Sequence, residues 1–261
     1  MRVSTPQDVA AAVGDVGDWL VVLDFDGTLA PIVERKEDAA LADGARVAVA
    51  ALRQVTDVAV VTGRPVEDVL PRLQGLPVTV IGNHGTQARL EDGSSVDLLD
   101  TSQMARVLDE VEGTVARLVD PADGWEVERK PTSVALHDRR VDDRLRDAVL
   151  PEVRKGLEGH AERPPGWKVL SGHRVTEFAP SGADKGTALT WLLDRLGHER
   201  ALVVGDDVTD EDAFAAVDER EGLAVLVAEE PRDTAATMRV GTPADVVALL
   251  ECLVGQSTVR V

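Results

Sequence analysis

Two aspartates at the end of an apolar segment are the first candidates for chemistry in this sequence. In VVLDFDGTLAP, residues 21–31, an apolar run leads directly into Asp24 and Asp26. Such a run is typical of a buried strand, and a buried charge without a partner is costly. We therefore expect these carboxylates either to cap a turn or to bind a group that compensates their charge.

Three further groups of polar residues follow strand-like segments or open a helix-like one. They are Thr62 in the TGR turn at 62–64, Lys185 at the start of a helix-like segment, and the pair Asp206 and Asp207 after ALVVG. Each is common by itself, since acidic residues often precede a helix and a lysine at a helix start is usually solvated. Together with Asp24 they predict one site, because the carboxyl ends of parallel strands meet at one edge of a sheet.

An acidic pair, a hydroxyl, a lysine and a second acidic pair suit phosphoryl transfer through an aspartyl-phosphate. A carboxylate can attack phosphorus, provided that a cation such as Mg²⁺, bound by hard oxygen ligands, offsets its negative charge. The hydroxyl and the ammonium group can bind the phosphate oxygens. A second carboxylate two residues further along an extended chain lies on the same side, where it can protonate the leaving alkoxide and later deprotonate water.

The segments that would position these residues alternate between strand-like and helix-like patterns at both ends of the chain. The strand-like segments are 19–25, 57–63, 78–85, 201–207 and 223–228. Alternation of this kind implies parallel strands joined by helical crossovers. The fold class predicted is α/β, with a Rossmann-like parallel-sheet core.

The middle of the chain has a different pattern. It reads as a helix, two strands, a helix and two strands, which is typical of an α+β module with an antiparallel sheet. We therefore predict a core domain formed by residues 1–100 and 181–261, interrupted by an inserted α+β cap domain at 101–180.

Composition limits the classes of partner. The chain has 261 residues and a formal net charge of −19, which disfavours nucleic acid because its phosphates would be repelled. No run approaches the roughly 18 apolar residues of a membrane-spanning helix, and the acidic N-terminal segment lacks the apolar stretch of a signal peptide. The single cysteine, Cys252, excludes an intramolecular disulfide. We expect a soluble, cytoplasmic protein that binds neither nucleic acid nor membrane.

The polar groups of the core also carry a family resemblance. DFDGTL, TGR, the Lys185 position and GDDVTDEDAF resemble the four motifs of the haloacid-dehalogenase-like phosphatases. The resemblance implies that Asp24 is the nucleophile, that Asp26 is the general acid and base, and that Thr62 and Lys185 bind phosphate. It also implies an Mg²⁺ site whose ligands are Asp24, the backbone carbonyl of Asp26, and Asp206, with Asp207 and Asp210 close behind.

The predicted cap carries an alternation of carboxylates and cations. Glu128 and Lys130 share one face of a strand at period two, His137 and Arg139 do so on the next strand, and Glu177 lies on a neighbouring one. A solvated sheet face with charge pairs would have the same pattern. The pattern also suits a polyol, because carboxylates accept hydrogen bonds from hydroxyl groups and cationic side chains donate them.

A narrower resemblance covers residues 19–228. DFDGTLAPI, GNHG at 82–85, ExKxxxxxxHxR at 128–139, TEFAP…DKG at 176–186 and GDDVTDEDAF resemble the trehalose-6-phosphate phosphatases. The resemblance implies an Mg²⁺-dependent phosphoric monoester hydrolase of trehalose biosynthesis. It implies that Glu128, Lys130 and Glu177 bind the sugar, that Arg139 binds the phosphate or the nearer sugar, and that Asn83 and His84 line the core side. Members of this family have a basic residue just before Glu177, a position that either His173 or Arg174 would take.

Two alternatives stay open from the sequence. The first is a phosphatase of the same superfamily that acts on another sugar phosphate, such as sucrose phosphate or mannosylphosphoglycerate. The second is a non-catalytic, sugar-phosphate-binding regulatory subunit, against which Asp24, Asp26 and Lys185 argue because a binding module needs neither a nucleophile nor an acid. For the enzyme, functional pairing with a trehalose-6-phosphate synthase is a further hypothesis.

Overall fold

The computed structural model describes residues 3–99, 101–130, 132–161, 166–172 and 174–257. The chain divides into two compact units. The core unit consists of Met1–Val96 and Asp184–Val261, and the insert unit consists of Asp97–Ala183. The chain therefore leaves the core after its first sheet strands and returns to it at Asp184.

The described residues form two sheets and the helices that cover them. The strands are β1 Trp19–Leu23, β2 Asp57–Val61, β3 Thr79–Gly82, β4 Gln87–Arg89, β5 Ser95–Asp97, β6 Glu126–Arg129, β7 Val134–His137, β8 Trp167–Gly172, β9 Val175–Pro180, β10 Arg200–Gly205, β11 Leu223–Val227 and β12 Met238–Val240. The α-helices are α1 Pro6–Val13, α2 Ala45–Leu52, α3 Val66–Arg72, α4 Thr101–Leu118, α5 Asp143–Glu158, α6 Lys185–Leu196, α7 Glu211–Asp218 and α8 Pro243–Gln256.

The larger sheet has the strand order β12-β11-β10-β1-β2-β3-β4-β5. All pairs from β12 to β3 are parallel, and β3 and β4 are antiparallel. Strand β1 is buried over its full length because helices cover both faces of a parallel sheet, which explains its unbroken apolar run WLVVL. The predicted α/β fold with a parallel-sheet core is confirmed, and β12 adds an edge strand that the sequence did not indicate.

The smaller sheet belongs to the insert unit and has the antiparallel order β6-β7-β9-β8. One face packs on α4 and α5 through an apolar cluster in which the rings of Trp167 and Phe178 stack at 4.9 Å. The opposite face carries Glu128 and Glu177, which occupy the same row across the sheet on either side of Ala135. The alternation along these strands thus separates an apolar face from a polar one.

None of the helices formed by the described residues is both long enough and apolar enough to cross a membrane.

Candidate active site

The candidate active site lies where the three central strands of the core sheet end. Strand β1 lies between β2 and β10, and the backbone amide of Asp24 continues the pairing by donating to the carbonyl of Val204 at 2.9 Å. Thr62 follows β2, and Asp206 follows β10. All three strands run in the same direction, so the polar residues that follow them share one edge of the sheet.

A buried lysine joins two carboxylates at this edge. Lys185, the first residue of α6, places its Nζ atom 2.7 Å from Oδ1 of Asp24 and 2.6 Å from Oδ1 of Asp210. All three side chains are almost fully buried. Burial by itself lowers the pKa of Lys185, but Asp24 and Asp210 more than reverse this effect and hold the pKa above its usual value. The lysine is therefore charged at neutral pH and partly neutralises the acidic cluster.

Asp210 also organises the acidic loop, residues 205–210. Its Oδ2 atom accepts hydrogen bonds from the backbone amides of Asp206 and Asp207 at 3.0 and 2.9 Å. Both oxygens of Asp210 are thus used within the protein, one by Lys185 and one by the loop backbone. The side chain fixes the loop that presents Asp206.

Asp206 supplies a carboxylate oxygen, Oδ1, that is buried and has no hydrogen-bond partner among the described residues. Gly27 makes this position possible, because a Cβ atom on Gly27 would lie 2.1 Å from Oδ2 of Asp206. Desolvation raises the pKa of Asp206, and the neighbouring carboxylates of Asp210 and Asp207 raise it further.

These residues fit a metal ion. Within the part of the chain that the structure describes, ligand atoms of Asp24, Asp206 and Asp210 lie within 4.8 Å of one another. Burial also raises the pKa of Asp24, with Lys185 opposing the shift and Asp210 adding to it. Burial is the main cause of both raised pKa values because it disfavours the ionised carboxylates, and a bound divalent cation would favour the ionised forms. Asp207, which the sequence also placed in the metal set, is exposed and lies outside this group.

Asp26 has a different partner from the other acidic residues. Arg64 binds it with both arms of the guanidinium group: Nε lies 2.6 Å from Oδ2, and Nη2 lies 2.7 Å from Oδ1. Arg64 is itself held by Asp68 at 2.7 Å and lies over the ring of Phe25. The side chain of Asp26 is 36% exposed, whereas that of Asp24 is 7% exposed. The two aspartates of DFD therefore occupy different environments.

Thr62 and the GNHG turn lie side by side. The backbone amide of His84 donates to the carbonyl of Thr62, and that of Asn83 donates to the carbonyl of Arg64. Asn83 and His84 both adopt left-handed backbone conformations, with φ of 49° and 54°. The imidazole of His84 occupies the space beside Gly63, where a Cβ atom would lie 2.5 Å from Cε1. The turn thus lies against the residue that follows Thr62.

In the insert unit, Glu177 accepts two hydrogen bonds through one oxygen. Its Oε1 atom lies 3.0 Å from Nζ of Lys130 and 2.5 Å from Oγ of Ser133. Glu128 pairs instead with His137, whose Nε2 atom lies 2.9 Å from Oε2. The polar face predicted from the sequence is therefore a set of paired charges.

The same face contains a groove with a volume of about 430 Å³. Its lining residues are Gly124, Glu126, Glu128, His137, Arg139 and Arg140. Glu128 and Arg139 thus line the same groove, whereas Lys130 and Glu177 are not among its lining residues.

The sequence placed Arg139 on the strand of His137, and the structure corrects this. Strand β7 ends at His137, and Arg139 is exposed in the turn that follows. The chain turns there because Asp138 is buried and binds Arg146 at 2.9 Å. Of the two residues considered for the position before Glu177, His173 lies outside the described residues, and Arg174 binds Asp143 at 2.6 Å.

A family model described as trehalose-phosphatase matches residues 22–243. The match begins two residues before Asp24 and includes most of both segments of the core and the whole insert unit. The chain belongs to the trehalose-phosphatase family. Family membership agrees with the resemblance drawn from the motifs of the sequence.

Individual relatives extend this result. An uncharacterized glycosyl hydrolase of Mycobacterium tuberculosis (strain H37Rv) is 38% identical over 234 residues, which are 85% of this chain and 17% of that protein. The present chain thus spans about a sixth of the length of that relative. A probable trehalose-phosphate phosphatase of Arabidopsis thaliana is 30% identical over 259 residues, which are 92% of this chain and 73% of the relative.

A solved trehalose-6-phosphate phosphatase of Aspergillus fumigatus has a similar structure. The TM-score is 0.74 and the identity 26%, with 91% of this chain and 93% of that chain covered. The trehalose-phosphatase fold therefore extends over nearly the whole of both chains.

Sequence reasoning did not assign a role to Arg64 or Ser133. The TGR motif places Arg64 two residues after Thr62, so the sequence indicates that Arg64 lies near the site. It does not indicate the partner of Arg64, because Asp26 is 38 residues away. Ser133 binds Glu177, which is 44 residues away on another strand. Such pairs depend on strand order, and a single sequence gives no signal for them.

Proposed function

We propose that the protein is an Mg²⁺-dependent phosphatase that hydrolyses trehalose 6-phosphate to trehalose and phosphate. The observation that carries the proposal is the buried cluster in which Lys185 joins Asp24 to Asp210 beside the open carboxylate of Asp206. Its occurrence in a chain of the trehalose-phosphatase family supports the choice of substrate.

In the first step, an oxygen of Asp24 attacks phosphorus and forms an aspartyl-phosphate. The bond from phosphorus to the sugar oxygen breaks, and Asp26 gives its proton to the leaving alkoxide. The greater exposure of Asp26 supports this division of roles, because the acid must reach a group outside the buried cluster.

In the second step, Asp26 takes a proton from water as the water oxygen attacks phosphorus. The bond between phosphorus and Asp24 then breaks, and phosphate leaves with both carboxyl groups returned to their starting states. Asp26 thus acts first as an acid and then as a base, which requires its carboxyl group to leave at least one of its contacts with Arg64.

Thr62 and Lys185 bind the phosphate group of the substrate in this proposal. The hydroxyl oxygen of Thr62 accepts a hydrogen bond from the amide of Arg64 at 3.2 Å, so its own proton remains for a phosphate oxygen. Lys185 uses two of its three donors on Asp24 and Asp210 within the described residues, which leaves one for phosphate. When bound by Asp24, Asp206 and the carbonyl of Asp26, Mg²⁺ would offset the charge that builds up on phosphoryl oxygens.

The hydroxyl groups of the sugar are assigned to other side chains. Glu128, Lys130 and Glu177 of the insert unit provide carboxylate acceptors and an ammonium donor for a polyol. Arg139, which lines the same groove as Glu128, binds the phosphate or the nearer ring. Asn83 and His84 line the core side of the site.

The test is phosphate release by the purified protein with Mg²⁺. Trehalose 6-phosphate would be compared with glucose 6-phosphate, sucrose 6-phosphate and mannosylphosphoglycerate, and Asp24→Asn protein and an EDTA-treated sample would be the controls. Fast turnover of trehalose 6-phosphate alone, lost in both controls, would support the substrate, the nucleophile and the metal requirement together.

Other outcomes would favour the alternatives. Preference for another ester would retain the catalytic core and overturn the assignment of the sugar. Binding of trehalose 6-phosphate without turnover would favour a regulatory subunit. Loss of trehalose 6-phosphate turnover in Glu128→Gln, with cleavage of an aryl phosphate retained, would tie that specificity to the insert unit.

We further propose a cytoplasmic location and a functional link to an enzyme that makes trehalose 6-phosphate. A phosphate ester of a sugar carries charge and stays in the compartment in which it is formed. Co-fractionation of the two activities from cells would test both points.

A further inference from the structure

Arg232 contacts the acidic loop from a neighbouring connection. It lies between β11 and β12, and its Nη2 atom donates to the backbone carbonyls of Asp207 and Asp206 at 2.9 and 3.3 Å. These are the residues at which the chain leaves β10 and presents the carboxylate of Asp206. No motif of the sequence includes Arg232.

The other arm of Arg232 is held by Glu211, the first residue of α7. Nη1 of Arg232 donates to Oε1 of Glu211, and both side chains are about three-quarters buried. Oε2 of Glu211 accepts from the amide of Ala235 at 2.7 Å and from the hydroxyl of Thr234 at 3.1 Å. The carboxylate of Glu211 thus links the connection formed by residues 228–237 to the start of α7, and the guanidinium of Arg232 links it to the acidic loop.

The loop therefore has supports on two sides. From inside, Asp210 accepts hydrogen bonds from the amides of Asp206 and Asp207. From outside, Arg232 donates to the carbonyls of the same two residues. A peptide held at both its donors and its acceptors has little freedom to rotate, so the direction of the Asp206 side chain is fixed before any ligand binds.

We propose that Arg232 is a positioning residue for the metal site, which orients Asp206 by holding the backbone of the acidic loop. The inference rests on the proposed metal-dependent function. Among the described residues, Arg232 contacts the backbone carbonyls of Asp206 and Asp207 and not their side-chain carboxylates. It would therefore act on the metal site through these two peptide groups.

Loss of the charge of Arg232 and loss of its hydrogen bonds would change the affinity for Mg²⁺ in opposite directions. A measurement of this affinity therefore distinguishes the two effects. A cationic side chain near a cation site repels the ion, so its removal would tighten metal binding if charge alone mattered. Glu211 offsets that charge at close range. Loss of orientation would instead weaken metal binding, by about tenfold for an outer-shell group of this kind.

Arg239 provides a matched control. It is a buried arginine on β12, and it also donates to two backbone carbonyls, those of Ala228 and Glu229, at the start of the same connection. Within the part of the chain that the structure describes, its guanidinium donates to these carbonyls and not to the acidic loop. Arg239→Lys therefore repeats the chemical change of Arg232→Lys without altering the support of Asp206.

The experiment is a titration of the full chain with MgCl₂, with no substrate, read out by calorimetry and by the Mg²⁺-dependent rise in Tm. We expect Mg²⁺ affinity to fall about tenfold in Arg232→Ala. Arg232→Lys should recover part of the loss, because one ammonium can reach one carbonyl. Arg239→Lys should lower the Tm and leave the affinity for Mg²⁺ unchanged.

Unchanged or tighter Mg²⁺ binding in Arg232→Ala would overturn the inference while leaving the proposed function intact. An equal loss of affinity in Arg239→Lys would also overturn it, because general loosening of the connection would then be the cause. If the wild-type protein itself binds no Mg²⁺, both the metal proposal and this inference fail.

Discussion

Lys185 and Asp24 are 161 residues apart in the sequence, and their charged groups lie 2.7 Å apart in the interior of the core unit. Asp210 takes a second hydrogen bond from the same ammonium group. One buried cation thus serves two buried carboxylates, so the cluster as a whole is short of positive charge.

Replacement of Lys185 by Met tests how much these ion pairs contribute to stability and to turnover. We expect the free energy of unfolding at pH 7 to fall by about 3 kcal/mol, because two buried carboxylates lose their counter-charge. Turnover should fall at least about 100-fold, since a donor to the phosphate is also lost. Urea unfolding and kcat measurements check both effects. The exposed Lys155→Met is the charge control, and equal effects in the two variants would contradict the assignment.

The pH dependence of the metal-free protein follows from the two raised carboxyl pKa values. Burial raises the pKa of Asp24 to about 8 and that of Asp206 to about 7, whereas the ordinary pKa of an aspartate side chain is 3.8. Between about pH 4 and 8 the folded state therefore holds protons that the unfolded state has released, so stability falls as pH rises. We expect a lower Tm at pH 8 than at pH 5.5 in EDTA.

Mg²⁺ should reverse that trend. It binds the ionised carboxylates, so the rise in Tm on adding Mg²⁺ should be larger at pH 8 than at pH 5.5. Thermal unfolding at both pH values, with Asp206→Asn as the control, measures this difference. A rise that is equal at the two pH values, or that persists in Asp206→Asn, would count against the proposed site.

Gly27 offers a test of the space that Asp206 occupies. In Gly27→Ala the new methyl group would collide with Oδ2 of Asp206, which is 2.1 Å from the Cβ position. We expect Mg²⁺ affinity and turnover both to fall at least about tenfold, the usual effect of disturbing a metal ligand's support.

Gly14 is the matched control for Gly27. The two glycines have φ of 71° and 74°, but nothing lies within 4 Å of a Cβ atom at Gly14. Gly14→Ala should therefore lose about 1 kcal/mol of stability through backbone strain alone and keep its affinity for Mg²⁺. If the two variants behave alike, strain rather than contact with Asp206 explains the effect.

Arg64 should matter most when the leaving group is poor. An aryl phosphate leaves without a proton, whereas a sugar alkoxide needs one from Asp26. A lysine cannot reproduce the two-point contact that orients Asp26 before reaction, so Arg64→Lys should reduce kcat/KM for trehalose 6-phosphate by about 100-fold and that for the aryl ester far less. Arg72→Lys, which disturbs the same partner Asp68 without touching Asp26, is the control. Equal losses on the two substrates would remove the link to proton transfer.

The core of the site was predictable from the sequence because local patterns place its residues. The apolar run before Asp24 and the strand before Asp206 predict two buried strands, and parallel pairing then brings their ends together. No pattern of that kind leads to Arg64 and Asp26. Their contact depends on how the loop after β1 is placed relative to the loop after β2, and a single sequence does not indicate this placement.

The insert unit shows where period-two reasoning fails. Glu128 and Glu177 lie on one face as expected, because both belong to strands. Arg139 does not continue β7, since the buried Asp138 turns the chain after His137. The pattern of residues around Asp138 does not reveal that this carboxylate is buried and paired with Arg146, eight residues further along the chain.

The division of the core unit into two segments has a consequence for synthesis of the protein. Strand β1 lies between β2 and β10, so the first segment has an open edge until residues 200–205 have been made. The insert unit is complete in sequence before then, and among the described residues strands β6 to β9 pair only with one another, so this unit can fold on the ribosome first. A ribosome stalled before Asp206 would therefore carry a folded insert and a core segment in which Asp24 still lacks the neighbouring carboxylates of Asp206 and Asp210.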